Sequence, residues 1–160
     1  MKCSRPFAWK FRQTTFALLF ILLFAGCSML PKDHEKDFES LDRIMKLYNN
    51  EFESRSDRAG AMWVEHNMKA EYLTQVKEIF NRISFVDSQV LNVVFKKSGA
   101  LVQNTGGNPA GDFDEAIVAI RYEYVMSPSV SVKTKVVKQR WVMKSDGVWN
   151  LIPNLSVFSE

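Results

Sequence analysis

Polar and apolar positions along the chain change rhythm three times. The first fifteen residues hold four basic side chains, Lys2, Arg5, Lys10 and Arg12, and no acidic one, and they lead into an unbroken apolar block of ten residues, 16–25. From Phe38 the pattern becomes helical. Phe38, Leu41, Ile44, Met45, Tyr48 and Phe52 fall on one face of a 3.6-residue period, with Glu39, Asp42, Arg43, Lys46 and Asn50 opposite. Asp33 or Asp37 is placed to cap its start. A second helical segment is expected from about residue 57 through Ala59, Met62 and Trp63 to His66. A third is expected to about Arg82 through Met68, Tyr72, Val76, Ile79 and Phe80. Gly60 and Asn67 put a bend or break near His66.

After Ile83 the period moves toward two and the composition toward Val, Ile, Tyr and Trp, so the sheet begins there. Residues 90–95 read as a first strand, and residues 98–113, rich in Gly, Asn and Pro, as a mobile loop. Ala116, Val118, Ile120, Tyr122 and Tyr124 alternate with Ile117, Ala119, Arg121 and Glu123, giving one buried and one mixed face. Ser127-Pro128-Ser129 turns the chain into residues 130–144. There Val130, Val132 and Val136 share one parity and Val137, Trp141 and Met143 the other, which a bulge near Val136 would reconcile. Asp146-Gly147 is a tight hairpin turn into residues 148–153. Helices followed by a meander make an α+β order: two or three N-terminal helices packed on a curved antiparallel sheet of about four strands.

The ten-residue apolar block is half the length that a membrane-spanning helix needs, about 20 residues. A basic segment, a short apolar block and then small residues follow the grammar of a secretory signal. Its end, Leu23-Phe24-Ala25-Gly26-Cys27, resembles the bacterial lipoprotein lipobox, with Phe24 where Leu is usual. The resemblance implies diacylglycerol transfer to the Cys27 thiol, cleavage before it and acylation of the new amino group; the alternatives are an uncleaved anchor or a cleaved export signal. Three acyl chains exceed the two signals that stable anchoring requires. Ser28 stands where inner-membrane lipoproteins usually carry Asp, so the resemblance implies the periplasmic leaflet of an outer membrane. Residues 1–26 are then signal, 27–36 lipidated cysteine and tether, and 37–160 a single domain.

Charge changes the picture once the signal is set aside. The formal net charge is +3, yet four of the 21 basic residues and none of the 18 acidic ones lie in residues 1–26, leaving 17 basic against 18 acidic. That balance provides no electrostatic footprint for nucleic acid. Cys3 leaves with the signal, so the domain relies on its core rather than on disulfides. The two histidines stand 32 positions apart and no metal-ligand spacing joins them. Gly106-Gly107 lacks the Lys and helix of a phosphate loop. No metal or cofactor is expected.

The element order, with Gln139-Arg140-Trp141 and Asp146-Gly147-Val148-Trp149 near its close, resembles the NTF2-like or cystatin-like superfamily over about residues 38–153, apart from the long first loop and fewer strands. Enzymes of that superfamily set an Asp with a His or Tyr inside an apolar cone. The nearest groups here are Glu65-His66, adjacent and divergent on a helix, and Glu123, on the polar parity of its strand. No catalytic constellation is found. Trp63, Tyr72, Tyr122, Tyr124, Trp141 and Trp149 either line a cone or fill the core. Lys133, Lys135, Lys138 and Arg140 read as the solvated face of a strand, with edge protection, or contact with lipid headgroups or an acidic partner, as the alternatives. Ile117, Ala119 and Val125 make the other face of their strand apolar enough for a homodimer or an envelope partner, unless Leu155, Val157 and Phe158 of the C-terminal segment cover it. The expectation is a membrane-anchored periplasmic lipoprotein acting as a non-catalytic binding or scaffolding subunit of a cell-envelope complex. The alternative is a small-molecule binder or enzyme using the cone.

Overall fold

The structure, a computed structural model, describes residues 33–56, 58–105 and 108–158. The signal, Cys27, Gly106 and Gly107 lie outside the described residues. Helix α1 (Asp33–Glu53) buries Leu41, Met45, Tyr48 and Phe52. It begins within the segment expected as tether, because Glu35 and Lys36 are good helix formers and acidic groups suit a helix N-terminus. Asp37 therefore lies inside the helix and does not cap it.

The expected second helix is replaced by two 3-10 turns, Ala61–Trp63 and His66–Met68. Ala59 and Gly60 both take left-handed backbone angles, φ 45° and 73°, which interrupt helical propagation. Gly60 also passes against the Tyr48 ring: a Cβ there would stand 2.3 Å from Tyr48 Cδ2. Helix α2 (Lys69–Arg82) then buries Tyr72, Val76 and Ile79.

The strands are β1 (Ile83–Lys97), β2 (Ala100–Leu101), β3 (Asn104–Thr105), β4 (Asn108–Pro109), β5 (Glu115–Met126), β6 (Val132–Met143) and β7 (Trp149–Ile152). Five form an antiparallel sheet in the order β2-β1-β5-β6-β7, while β3 and β4 pair separately. The structure is thus α+β, two helices packed against a five-stranded antiparallel sheet. Three short strands occupy the segment read as a mobile loop. Strand β1 is far longer than residues 90–95, because register shifts between Phe85 and Asp87 and between Val90 and Asn92 hide its alternation. Strand β6 lacks the expected bulge and pairs continuously from Val132 with Val125 to Val142 with Glu115. Its two apolar parities are two real faces: Val137 and Trp141 are buried, while Val132 and Val136 stay 57% and 49% exposed. Lys133 and Lys135 share the parity of Val137, and Lys138 and Arg140 lie on the other, so the basic run spans two faces.

The described part of the C-terminal segment does not cover the outer face. Its last turn, Ser156–Phe158, packs on the inner one, where the Phe158 ring meets Phe52, Phe85, Tyr122 and Tyr124 at centroid distances of 6.2, 5.6, 5.9 and 5.9 Å. Ile117 and Ala119 remain half-buried on the outer face.

Candidate functional site

The inner face of β5 and β6 meets the apolar stripe of α1 in a nearly continuous aromatic cluster. Tyr48 lies edge-on to Trp141 at 5.6 Å and stacks on Phe52 at 5.9 Å; Phe52 reaches Tyr122 at 5.9 Å, and Phe85 reaches Tyr122 at 5.4 Å. Beyond it, Phe95 packs on Phe113 at 4.8 Å and Phe113 on Trp149 at 5.4 Å. Edge and offset contacts of this kind add roughly 0.5–1.5 kcal/mol each to area burial.

A polar seam runs through these rings. Tyr72 donates its hydroxyl to the Ala59 carbonyl and lies 3.1 Å from the Tyr48 hydroxyl. Tyr122 donates to Asn49 Oδ1 at 2.8 Å, and Gln139 Nε2 donates to the same oxygen at 2.7 Å and to the Tyr122 hydroxyl at 3.1 Å. Trp141 Nε1 closes the seam on Gln139 Oε1 at 3.2 Å. One arrangement therefore satisfies most of the polar atoms that burial removes from water. Burial is the largest cause that raises the pKa of Tyr48, Tyr72 and Tyr122 above the usual phenol value. All three phenols are neutral at physiological pH.

Of the six aromatic residues singled out in the sequence, Tyr72, Tyr122, Tyr124, Trp141 and Trp149 are buried and Trp63 is half-buried against the core. Tyr122 and Trp141 meet through Gln139, and Tyr72 joins Tyr48. Tyr124 joins the cluster through Phe85 and Phe158, outside the polar seam, and Trp149 packs with Phe113. Trp149 Nε1 is buried without a hydrogen-bond partner among the described residues. Tyr48, Asn49, Gln139 and Phe158 complete the cluster and were not singled out as site residues. Asn49 stands one position off the apolar stripe, where its polarity reads as that of a surface residue. Between Tyr48, Phe52, Tyr122, Gln139, Leu155 and Phe158 a space of about 10 Å³ remains, room for one water at most.

The carboxylates stand at the margins. Glu51 accepts the Gly60 N–H at 2.8 Å, Glu53 accepts the Ser88 hydroxyl, and Glu65 pairs with Lys144 at 2.8 Å while His66 is exposed. Glu123 lies on the outer face, 3.8 Å from Arg121. Glu115 accepts two bonds from Arg140, at 3.0 and 3.2 Å, and that hydrogen bonding is the first cause holding its carboxyl below the usual range. Among the described residues no group of three His, Cys, Asp or Glu side chains is placed to hold a metal ion, and no helix is long and apolar enough to cross a membrane. No protein-family model matches the chain, and no curated protein matches its sequence.

Proposed function

We propose that the chain is a lipid-anchored protein of the cell envelope whose domain is a non-catalytic binding or scaffolding subunit of an envelope complex. The anchor rests on the basic segment, the ten-residue apolar block and Ala25-Gly26-Cys27. The observation that carries the non-catalytic part is the filled interior. The rings of α1, β5, β6 and the C-terminal turn occupy the volume a ligand would need and leave about 10 Å³, against the several hundred that small-molecule sites enclose. The fold is further proposed to be an NTF2-like or cystatin-like cone, supported by the order of helices, long antiparallel strands and closing hairpin. A crystal structure with a flat, uncurled sheet would remove that proposal.

Lipidation is tested by metabolic labelling with a clickable palmitate. Wild type takes the label and Cys27→Ser does not; equal labelling, or none in either, removes the anchor. Affinity purification from detergent-solubilised membranes then identifies the complex. The outer sheet face around Ile117 and Ala119 is the proposed contact surface, for a second copy or an envelope protein, since the described part of the C-terminal segment packs on the inner face. Sedimentation of the detergent-solubilised protein tests the first: a dimer that Ile117→Glu dissociates supports it, and a monomer at high micromolar concentration removes self-association.

A further inference from the structure

A second concavity lies between α2 and the turn at Arg55 and Ser56. It encloses about 400 Å³ and is lined by Arg55, Ser56, Leu73, Val76, Lys77 and Phe80, with Asn81 at its end. The floor is apolar: Val76 is buried, Phe80 half-buried and Leu73 40% exposed. From Leu73 to Phe80 the helix rises about 10 Å, at 1.5 Å per residue. Two cations stand on the rim, and no carboxylate is among the described residues that line the groove. Lys77 joins no ion pair among the described residues.

Arg55 is built into its place. It takes a left-handed backbone angle, φ 55°, which is uncommon for a side chain of its size. Its guanidinium lies over the Phe80 ring at 5.8 Å, donates through Nη2 to the Phe80 carbonyl and reaches Ser84 Oγ through Nη1 at 3.5 Å. A guanidinium has five N–H donors, so others remain for an anion. The turn that follows α1 thus puts a fixed cation at one end of an apolar channel.

We propose that this groove binds a small amphipathic carboxylate, an alkyl chain ending in an anion. The chain lies along Leu73, Val76 and Phe80, and the carboxylate meets Arg55 and Lys77. Apolar floor and like-charged rim select for both halves of such a molecule, since each would be poorly solvated or unpaired without the other. The molecule carries an internal contrast. A groove of similar size, about 340 Å³, beside the start of α1 is lined by Glu35 and Glu39, and repels the same anion. The proposal does not depend on whether Cys27 is acylated.

The test is photolabelling of the full-length protein with a diazirine derivative of decanoic acid, read by peptide mass spectrometry. Saturable labelling of the segment from Leu73 to Asn81, competed by decanoate and at least tenfold less well by decanol, is expected. Lys77→Glu should lower labelling about tenfold, as reversal of one partly exposed charge contact does. Leu73→Gln should lower it severalfold, and both exposed sites should leave the melting temperature unchanged. Labelling that does not saturate, that centres on the groove at Glu35 and Glu39, that decanol competes equally, or that Lys77→Glu leaves intact would overturn the proposal.

Discussion

The two faces of strand β5 share one backbone and one register, yet they do opposite things. Inward, Ala116, Val118, Ile120 and Tyr122 are almost wholly removed from water. Outward, Ile117, Ala119, Arg121, Glu123 and Val125 are only half-buried, flanked on β6 by Val132, Val136, Lys138 and Arg140 and on β1 by Asn92, Gln89 and Asp87. Period-two alternation alone makes the two faces differ, but it does not say which is filled by the rest of the chain. Helix α1, helix α2 and the C-terminal turn all converge on the inner side. Stability is concentrated there.

The largest way to break that asymmetry is Trp141→Ala. The ring is fully buried, edge-on to Tyr48, and its Nε1 ends the polar seam. Truncation leaves a cavity that neighbouring strands can close only partly, so a loss of about 3–5 kcal/mol is expected from chemical denaturation. A loss near zero would mean that the inner face is not the core. Gly60→Ala comes next. The added methyl meets the Tyr48 ring at 2.3 Å, and the backbone angle of 73° disfavours any side chain, so a cost of about 1–3 kcal/mol is expected. If the variant were as stable as wild type, Tyr48 would not be held against that turn.

Tyr122→Phe keeps the ring and removes only the hydroxyl that joins Asn49 to Gln139. Because Gln139 still reaches Asn49 at 2.7 Å, the loss should stop at about 1–2 kcal/mol. At the sheet end, Glu115 and Arg140 set a weaker, pH-dependent contribution. The folded carboxyl titrates below its ordinary value of 4.5, so its stabilisation is complete above that value and is lost as pH falls through the folded one. Glu115→Gln should therefore cost below about 1 kcal/mol at neutral pH, and the difference from wild type should shrink in the acid range below about 4.5. A difference that grows on acidification would reverse the assigned sign.

The elements that sequence periodicity made legible are those in which one uninterrupted face is buried. The α1 stripe and the alternation of β5 are of this kind. Strand β1 was only partly legible because two register shifts move its side chains between faces, so Val86, Val90 and Leu91 remain exposed inside a strand. The polar seam was hidden for another reason: Asn49 and Gln139 look like surface residues until burial pairs them with tyrosines from distant elements. Phe158, which the sequence offered as a cover for the outer face, packs on the inner one from the far end of the chain. The Arg55 groove arises where left-handed residues 55, 59 and 60 divert the chain, in and after the charged stretch from Glu53 to residue 58 that separates the first two helical patterns.

The smallest effect is expected on the outer face, and it is the one that sharpens the comparison most. Val136 is 49% exposed and stands directly opposite Arg121, whose Nε has no partner among the described residues. Val136→Glu places a carboxylate across from that guanidinium, a cross-strand pair that contributes roughly 0.2–1 kcal/mol. It also removes a β-branched side chain that favours strands, so the two changes largely offset each other. Net stability should stay within about 0.5 kcal/mol of wild type, as for most surface substitutions, with the favourable part fading as salt screens it. A core position treated in the same way would unfold the domain. A loss of 2 kcal/mol or more at Val136 in the isolated protein, growing with protein concentration, would show that a second copy covers this face, because only a covered valine resists exchange for a charge.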